Sequence, residues 1–545
     1  MTENSIQADV AVIGAGVAGA MAAWHLAQNG FQVALLEAGL ETSRAEAVER
    51  YRRSVSKDAN SPYLSNRFAP MPQGSDDYYR NAGSTGFNGL YMRGVGGTTW
   101  HWTGFALRLR PDDLTMRTRF GVAEDWPLGY DEIVPWYDLA EREMGVSGFR
   151  GQDYGAPRSG EYPLPGIPSS YLDNYVAPRI AALKLSLSPF PQARNSVAYQ
   201  DRPPCCGNNN CVPICPVQAK YDATVHVKKA QQLGVTLYSS HVVTRLHSDA
   251  SGGIESADFV NGSGQKGVVK AKYFMLACHA IENPRLLLLS KGPHTPDGVA
   301  NSSGLVGTHL MSQMGFNSRA LTPDPIYPYR GPQQTSGVVE GRNDPSTRGE
   351  KAAIGTSVMN DGTHPFFGPQ KTAAELVSQG VFGKALARGV NDLSSRQLRF
   401  NTSIEMLPDR NNRVSLHPTL KDPAGLPVPE ITMAMDDYTR RGVDWARQRH
   451  QQMFDALKAS DITHDAQAET DTAIIAGTTK MGLDPTRSVV NPYLQAHDHP
   501  NLYILGSSAH VTAPINPPTL TIAALALRAA DHLRRTAGKT PGKPV

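Results

Sequence analysis

Residues 9–37 read DVAVIGAGVAGAMAAWHLAQNGFQVALLE. The apolar, β-branched run before Gly14 is typical of a strand that is buried on both faces of a parallel sheet. An alanine-rich helix follows to about Gln28, where Gly30 ends it, and a second apolar run leads to Glu37. This order of strand, glycine turn, helix and strand predicts the first βαβ unit of an α/β domain.

The glycines of this unit have the spacing of a dinucleotide-binding turn. Gly14, Gly16 and Gly19 form a GxGxxG pattern, and Glu37 follows Gly19 by 18 residues at the end of the second strand. Such glycines allow a tight turn and a close approach of the backbone to a pyrophosphate, which faces the helix N-terminus. Glu37 lies where an acidic side chain accepts hydrogen bonds from a ribose. The pattern predicts a dinucleotide site and does not choose between NAD and FAD.

A second glycine-rich segment, GVGGTTWHW at residues 94–102, is a candidate for contact with the rest of the cofactor. Its backbone N–H groups and hydroxyls can approach a flat ring, and its aromatic side chains add stacking surface. A buried aromatic turn is the alternative interpretation. The candidate cofactor-binding residues of this segment are Gly96, Gly97, Thr98, Thr99 and His101.

The chain has five cysteines, and four of them lie between Cys205 and Cys215. Thiolates at this density suit an iron-sulfur cluster or zinc. Cys205 and the adjacent Cys206 point in different directions in most backbone conformations, so three ligands and one spare thiol fit better than a tetrahedral zinc site. Zinc and plain disulfides remain alternatives. Cys278 stands apart and is expected to be a buried free thiol.

Composition excludes several classes of protein. Lys plus Arg is 53 and Asp plus Glu is 50 in 545 residues, so the formal charge is +3, and no basic tract suggests nucleic acid. The longest apolar stretch, near residues 519–530, contains Arg528 and is too short to span a membrane. No secretory leader is visible at the N-terminus, so the cytoplasm is the expected compartment from this sequence alone.

Four segments together resemble the glucose-methanol-choline oxidoreductases, and within them the large flavoprotein subunits of bacterial gluconate, fructose and glucose dehydrogenase complexes. These segments are residues 14–37, GGTTWHW at 96–102, CCGNNNCVPICP at 205–216 and PTLTIAAL at 518–525. The resemblance covers essentially the whole chain. It implies an FAD-dependent enzyme with an α/β fold, in which a Rossmann-like FAD-binding domain carries an inserted α+β substrate domain built on an antiparallel sheet.

The resemblance also implies a division of the chain. Residues 1–310 are expected to form the FAD-binding domain, with an inserted lid and a cysteine loop at about 195–222. Residues 311–465 would form mainly the substrate domain, and 466–545 would return to the FAD-binding domain. Val243 is the best match to a valine that contacts the adenine. His101 is a candidate for covalent attachment of the flavin, against the alternative of an ordinary packed histidine.

For the cysteines, the resemblance implies a three-iron, four-sulfur cluster on Cys205, Cys211 and Cys215. Cys206 would then be free to form a disulfide with a small companion subunit, and an electron acceptor such as a cytochrome would receive the electrons. Relatives reach the periplasm with a small subunit that carries the signal. The resemblance therefore implies a periplasmic or membrane-associated location if such a partner exports this chain.

The segments that should form the catalytic pocket depart from the family. The place of the catalytic histidine is Ile474, and the place of the catalytic asparagine is Pro517, with Asn516 one residue earlier. The family's Met-Asp-His-Pro is MSQM at residues 311–314. His510 and Asn516 are the catalytic candidates that remain, because both lie near the expected flavin pocket.

The other catalytic candidates are weaker. His464, Glu405 and Tyr493 cannot be placed from the sequence.

The first hypothesis for the function is a dehydrogenase that takes a hydride from a small-molecule donor, at a CH–OH or another activated C–H group. It would pass the electrons through the cluster to a partner. A redox-neutral flavoenzyme and a catalytically silent flavoprotein subunit are the alternatives.

Overall fold

The computed structural model of the chain describes residues 4–55, 57–73, 78–342, 344–362 and 368–540. The strands in these ranges are β1 (Asn4–Ile13), β2 (Val33–Leu36), β3 (Arg80–Asn81), β4 (Ser147–Gly148), β5 (Leu164–Pro165), β6 (Leu187–Pro189), β7 (Thr236–Tyr238), β8 (His241–Ser248), β9 (Ile254–Asn261), β10 (Lys266–Leu276), β11 (Met311–Leu321), β12 (Gln334–Val338), β13 (Ile354–Met359), β14 (Gln397–Ile404), β15 (Arg413–Lys421), β16 (Pro427–Thr432), β17 (Ser460–His464), β18 (Glu469–Ala476) and β19 (Leu502–Ile504).

The α-helices are α1 (Val17–Gln28), α2 (Arg44–Arg53), α3 (Met116–Phe120), α4 (Tyr130–Met144), α5 (Tyr171–Ile180), α6 (Thr224–Gln232), α7 (His279–Leu289), α8 (Pro369–Ser378), α9 (Gly383–Arg396), α10 (Asp437–Ala456) and α11 (Thr519–Thr536). Short 3-10 helices lie at Gly97–Trp100, Pro111–Leu114, Ala181–Leu183 and Ser507–Ala509. No helix in the described ranges combines the length and the apolar character that crossing a membrane requires.

The first sheet contains the predicted βαβ unit. Its order is β7-β2-β1-β10-β9-β8, and β1 pairs in parallel with both β2 and β10. β10 is long enough to pair with β9 at its start and with β19 at its end, where Phe274 meets Leu502. The C-terminal strand β19 therefore returns to the first sheet. The predicted α/β fold is confirmed.

Close packing explains two of the glycines in the first turn. A Cβ atom on Gly19 would lie 1.9 Å from the carbonyl oxygen of Gly14. Gly14 has a φ of +106°, and a Cβ there would lie 2.4 Å from the carbonyl oxygen of Ala277. The β1–α1 turn can therefore lie against the end of β10 only because these positions have no side chain.

The second sheet is antiparallel, in the order β17-β11-β14-β13-β12-β6, with β18 also paired to β11. Along β14, Leu398, Phe400 and the other even-numbered residues are buried, and α10 packs against this sheet. An inserted antiparallel sheet is therefore present, as predicted. Two of its strands, β6 and β18, lie outside the range 311–465 that was expected to supply most of this domain.

Candidate active site

A cavity of about 560 Å³ is lined by residues of both sheets and the segments that join them. The turn after β1 and the segment at 97–103 line one part, and β12, β13 and β14 line another. The predicted site residues in this lining are Gly14, Gly16, Glu37, Gly97, Thr98, Thr99, His101, Val243 and Asn516. Gly19, Gly96 and His510 lie outside it.

Glu37 stabilises the glycine turn from the neighbouring strand. Its Oε2 accepts a hydrogen bond from the N–H of Ala15 at 2.8 Å, and its Oε1 accepts one from the N–H of Gly39 at 2.9 Å. The N–H of Gly96 donates to the carbonyl of Ala15 at 3.0 Å, which joins the two glycine-rich segments. Gly96, although outside the lining, therefore fixes the position of the residues that follow it.

The space in front of the turn fits the pyrophosphate of FAD. A Cβ on Gly16 would meet no atom within 4 Å, so the backbone there faces an open cradle. Gly16 also caps α1, whose first N–H groups need acceptors and whose dipole favours an anion. In such folds a dinucleotide phosphate binds at this helix N-terminus.

The threonines of the second segment hold its shape. The Thr99 hydroxyl accepts a hydrogen bond from the N–H of Ala223 at 2.9 Å, and the Thr98 hydroxyl accepts one from the N–H of Met92 at 3.2 Å. The Trp100 indole donates to the carbonyl of Val95 at 2.9 Å. Both hydroxyls are thus engaged in placing the backbone of residues 97–99 along the cavity.

His101 presents an unpaired nitrogen at this place. Its Nε2 is buried and has no hydrogen-bond partner among the described residues, and its ring centroid lies 5.1 Å from that of Tyr63. Burial, together with the charge of Lys220, lowers the pKa of His101 to about 3, so the ring is neutral. A buried polar atom without a partner marks a position where a ligand can bind. Covalent attachment of flavin to His101 stays a prediction.

Tyr91 and His279 are cavity residues that the sequence analysis missed. Their rings stack at a centroid distance of 4.4 Å with an interplanar angle of 14°. Burial lowers the pKa of His279 to about 4. His279 begins α7 directly after β10, and the carboxyl ends of parallel strands are where ligands bind in such sheets. The position of LACH (276–279) after an apolar strand was the signal that could have identified it.

The antiparallel sheet contributes a polar wall to the cavity. Arg399 donates to Oδ1 of Asn317 at 2.6 Å and pairs with Asp361, and Asn401 Nδ2 donates to the same Asn317 oxygen at 2.9 Å. Ser403 extends this face along β14. The alternation of polar and apolar residues in QLRFNTSI (397–404) could have indicated such a face.

Asn516 is the one proposed catalytic residue that the structure places in the cavity lining. Its Nδ2 donates to the carbonyl of Arg108 at 2.5 Å, which leaves Oδ1 buried and without a partner among the described atoms. Gln313 donates from Nε2 to the carbonyl of Asn516 at 2.9 Å, so the altered segment 311–314 holds this loop. Ile474, at the family's histidine position, makes the neighbouring lining apolar.

His510 does not line the cavity. Its side chain is 3 % exposed and its ring centroid lies 5.1 Å from that of Trp126. Burial lowers its pKa to about 3, and its Nε2 has no hydrogen-bond partner in the part of the chain that is described. The expectation that His510 approaches the flavin pocket is not supported by this geometry, and its catalytic role stays a prediction.

The three weaker candidates also lie elsewhere. His464 Nδ1 lies 2.7 Å from the hydroxyl oxygen of Ser318, in a side-chain network of the antiparallel sheet. Glu405 is buried in an ion pair with Arg348, and Tyr493 stacks on His532 at 4.1 Å. None of the three is part of the cavity lining.

The cysteine loop lies beside the cofactor segment. Arg194 Nη2 donates to the sulfur of Cys211 at 3.2 Å and to the carbonyl of Thr103 at 2.7 Å. Lys220 Nζ donates to the carbonyls of Trp100 and Trp102 at 2.8 and 2.7 Å. Two buried cations thus connect the loop with residues 100–103.

None of the cysteines of this loop forms a disulfide with another described residue. Cys211 and Cys215 are buried, Cys205 is partly buried and Cys206 is exposed, and Cys278 is also a free thiol. Intrachain disulfides are therefore not formed. Within the described ranges, no three His, Cys, Asp or Glu side chains are arranged to hold a metal ion. The three predicted ligands have the right chemistry but do not form a closed ligand set in this structure.

The glycine turn, its acidic partner and the cavity between the two sheets define a dinucleotide-dependent enzyme. The sequence matches the family described as FAD dependent oxidoreductase at residues 9–48 and the family described as GMC oxidoreductase at residues 408–526. The chain is 35% identical over 545 residues to the fructose dehydrogenase large subunit of Gluconobacter japonicus, which covers 98% of this chain and 99% of that protein. This chain belongs to the GMC oxidoreductase family.

Two further comparisons agree with this assignment. The 2-methyl-1,2-propanediol dehydrogenase of Mycolicibacterium austroafricanum is 29% identical over 563 residues, which covers 98% of this chain and 96% of that protein. The crystal structure of pyridoxine 4-oxidase from Mesorbium loti has the same fold, with a TM-score of 0.63 and 19% identity over 97% of this chain and 99% of that chain. The predicted family and enzyme class are confirmed.

Proposed function

We propose that this enzyme oxidises the CH–OH group of a sugar, sugar acid or diol to a carbonyl and passes the electrons to a protein partner. The observation that carries the proposal is the cavity, where the dinucleotide turn and the polar face of the antiparallel sheet line the same space. FAD bound there supplies a two-electron acceptor for the hydride of a substrate C–H bond. The relatives described above are named for a sugar and a diol.

The chain's own residues would bind and orient the substrate. Asn516 Oδ1 is a free acceptor for the substrate hydroxyl, and Phe105, Leu107 and Ile474 make apolar parts of the wall that exclude water. The oxidation removes a hydride from carbon and a proton from oxygen. His279, a neutral histidine in the same cavity lining, would take up this proton.

An anaerobic titration of the FAD-loaded protein tests this function. Sugars, sugar acids and diols are added singly, and the flavin absorbance and the carbonyl product are followed together. We expect flavin bleaching with formation of a carbonyl by at least one class. Product without bleaching would support redox-neutral chemistry, and absence of both would support a silent subunit; either result would contradict the proposal.

We further propose that Cys205, Cys211 and Cys215 ligate an iron-sulfur cluster of the three-iron, four-sulfur type. Thiolates are the usual ligands of such clusters, and the nearby cations Arg194 and Lys220 would offset their negative charge. Val212, next to Cys211, lines the cavity. This proximity to the cavity supports the proposed transfer of electrons from the cofactor to a cluster on the loop.

A companion subunit is part of the same proposal. Cys206 is exposed beside the buried thiols, so it is accessible to a thiol of another chain. A cytochrome is the class of acceptor that takes single electrons from a cluster. The compartment would follow that of the companion, so fractionation of cells that express both chains, followed by non-reducing electrophoresis, tests the disulfide and the location together.

A further inference from the structure

A buried positive charge lines the cavity beside Asn516. Arg342 is 5 % exposed and belongs to the lining. Its Nη1 donates to the carbonyl of Tyr154 and its Nη2 to the carbonyl of Arg108, both at 3.0 Å. Its Nε is buried and has no hydrogen-bond partner among the described residues. Neutral carbonyls satisfy two donors of the guanidinium but leave its charge uncompensated.

The carboxylate that acts on Arg342, that of Asp113, is engaged by another arginine. Arg348 pairs with Asp113 at 2.7 Å and with Glu405 at 2.8 Å. Arg110 adds a further positive charge near Arg342. Asp113 is thus salt-bridged to Arg348, and Arg342 has no salt bridge with a carboxylate among the described residues.

Arg342 keeps its charge at neutral pH. Burial lowers its pKa to about 10, and the attraction of Asp113 opposes this effect. A buried charge without a partner is unfavourable, so such a site binds an anion that compensates it. The anion would come from the cavity, because Arg342 belongs to its lining and its two η nitrogens donate to protein carbonyls.

The same carbonyl connects Arg342 with Asn516. The Arg108 oxygen accepts hydrogen bonds from Arg342 Nη2 and from Asn516 Nδ2, so the two side chains lie side by side. This carbonyl also fixes the orientation of the Asn516 amide, because its nitrogen must face the acceptor. The cavity therefore presents a hydroxyl acceptor, Asn516 Oδ1, next to a cation.

We propose that the substrate is a hydroxy acid, whose carboxylate binds the guanidinium of Arg342 while the hydroxyl that is oxidised donates to Oδ1 of Asn516. The proposal rests on the proposed oxidation of a CH–OH group and narrows its substrates from sugars, sugar acids and diols to hydroxy acids alone. Hydrogen bonds between a guanidinium and a carboxylate are charge-assisted and directional. Arg342 would select and orient the substrate without changing covalently.

The test compares acids with matched neutral compounds. The FAD-loaded protein is titrated calorimetrically with glycolate, glycerate and gluconate, each paired with the polyol that has CH₂OH in place of the carboxylate: ethylene glycol, glycerol and glucitol. We expect at least one acid to bind about 10- to 100-fold more tightly than its polyol. Arg342→Gln should remove this preference, and Arg342→Lys should keep part of it because it keeps the charge. Arg150→Gln, which removes an exposed arginine, should not change the preference.

Two results would overturn the proposal. One is that no acid of the panel binds more tightly than its polyol, a comparison that needs only the wild-type protein. The other is that Arg342→Gln keeps the preference, or lowers kcat equally for acids and polyols with no change in KM. Anaerobic flavin bleaching distinguishes failure of the anion-binding proposal from failure of the proposed function. Bleaching by polyols without acid preference retains the proposed function alone, whereas tight, Arg342-dependent acid binding without bleaching supports the anion site and contradicts the proposed oxidation.

Discussion

The side chains of Asn516 and Arg342 donate hydrogen bonds to the same oxygen, the backbone carbonyl of Arg108. This shared acceptor fixes an amide and a guanidinium next to each other in the cavity wall. Oδ1 of Asn516 and Nε of Arg342 have no hydrogen-bond partner in the described part of the chain. The pair therefore offers an acceptor and a charged donor to one substrate.

Removal of the amide should weaken catalysis without loss of the cofactor. Asn516→Ala deletes the hydroxyl acceptor, and a neutral hydrogen bond is worth about 1 kcal/mol, so we expect kcat/KM for flavin reduction to fall about fivefold. Asn411→Ala, at an exposed asparagine, is the matched control and should leave kcat/KM unchanged. An Asn516→Ala protein with unchanged kcat/KM and full FAD content would rule out the proposed contact.

The role of Gly16 in cofactor binding can be separated from its role in folding. A Cβ at this position meets no protein atom within 4 Å, and its backbone is extended, so Gly16→Ala should fold normally. The methyl group would occupy the space in front of the helix N-terminus, where the pyrophosphate must approach. We expect the flavin-to-protein ratio to fall while the unfolding temperature of the apoprotein is retained.

Gly160→Ala, at an exposed glycine whose Cβ also meets nothing, is the control for this experiment. It should bind FAD like the wild type. Full FAD binding by Gly16→Ala would show that the pyrophosphate does not approach this turn.

Acid should destabilise the protein through its buried histidines. Burial is the largest cause of the low pKa of each of six: about 3 for His101, His450 and His510, and about 4 for His226, His279 and His309. In the unfolded state a histidine binds its proton near pH 6.5, whereas the native state excludes it. The stability that the neutral histidines contribute is therefore fully present above that pH and is lost as the pH falls toward 3. Each such histidine should lower the free energy of unfolding by about 2 kcal/mol at pH 5.

His450 allows a test of this effect away from the cofactor. It is buried between the hydroxyls of Ser318 and Thr402, each at 2.7 Å. His450→Gln keeps a polar group but cannot take up the proton, so the free energy of unfolding in urea should fall less between pH 7 and pH 5 than in the wild type. His294→Gln, at an exposed position, should fall like the wild type. If the free energy of unfolding falls equally in His450→Gln and in the wild type, His450 does not contribute to the loss of stability in acid.

The cysteine loop makes a prediction that needs no substrate. Cys205→Ser, Cys211→Ser and Cys215→Ser should each lower the content of iron and acid-labile sulfide, because each removes a proposed ligand. Cys206→Ser and Cys278→Ser are matched controls and should keep both. Full iron and sulfide in the Cys211→Ser protein, or iron without sulfide in the wild type, would contradict the proposed cluster.

The sequence predicts the features that depend on short-range order. The strand, turn and helix around Gly14 and Gly16 are encoded within 29 consecutive residues, so their fold and their cofactor role can be predicted together. The antiparallel insert was expected from the family resemblance, but the pairing of β6 and β18 with it was not. Those strands are recruited by contacts between segments far apart in the chain.

The substrate side depends on contacts that no local pattern shows. Arg342 reaches the carbonyls of Tyr154 and Arg108, which are 188 and 234 residues away in the sequence. His510 lies only six residues before Asn516, yet it follows the short helix Ser507–Ala509 and packs on Trp126 instead of lining the cavity. Proximity along the chain therefore did not predict which residues of this loop line the cavity.

The central claim is that this cavity transfers a hydride from a substrate CH–OH carbon to FAD. The most direct measurement mixes FAD-loaded protein anaerobically with a hydroxy acid and with the same acid deuterated at the CH–OH carbon. We expect the flavin to bleach more slowly with the deuterated acid, and we expect one carbonyl to form for each flavin that is reduced. Two results would contradict hydride transfer to FAD. One is equal bleaching rates with the two acids under conditions where the C–H step limits the rate, and the other is carbonyl formation without bleaching.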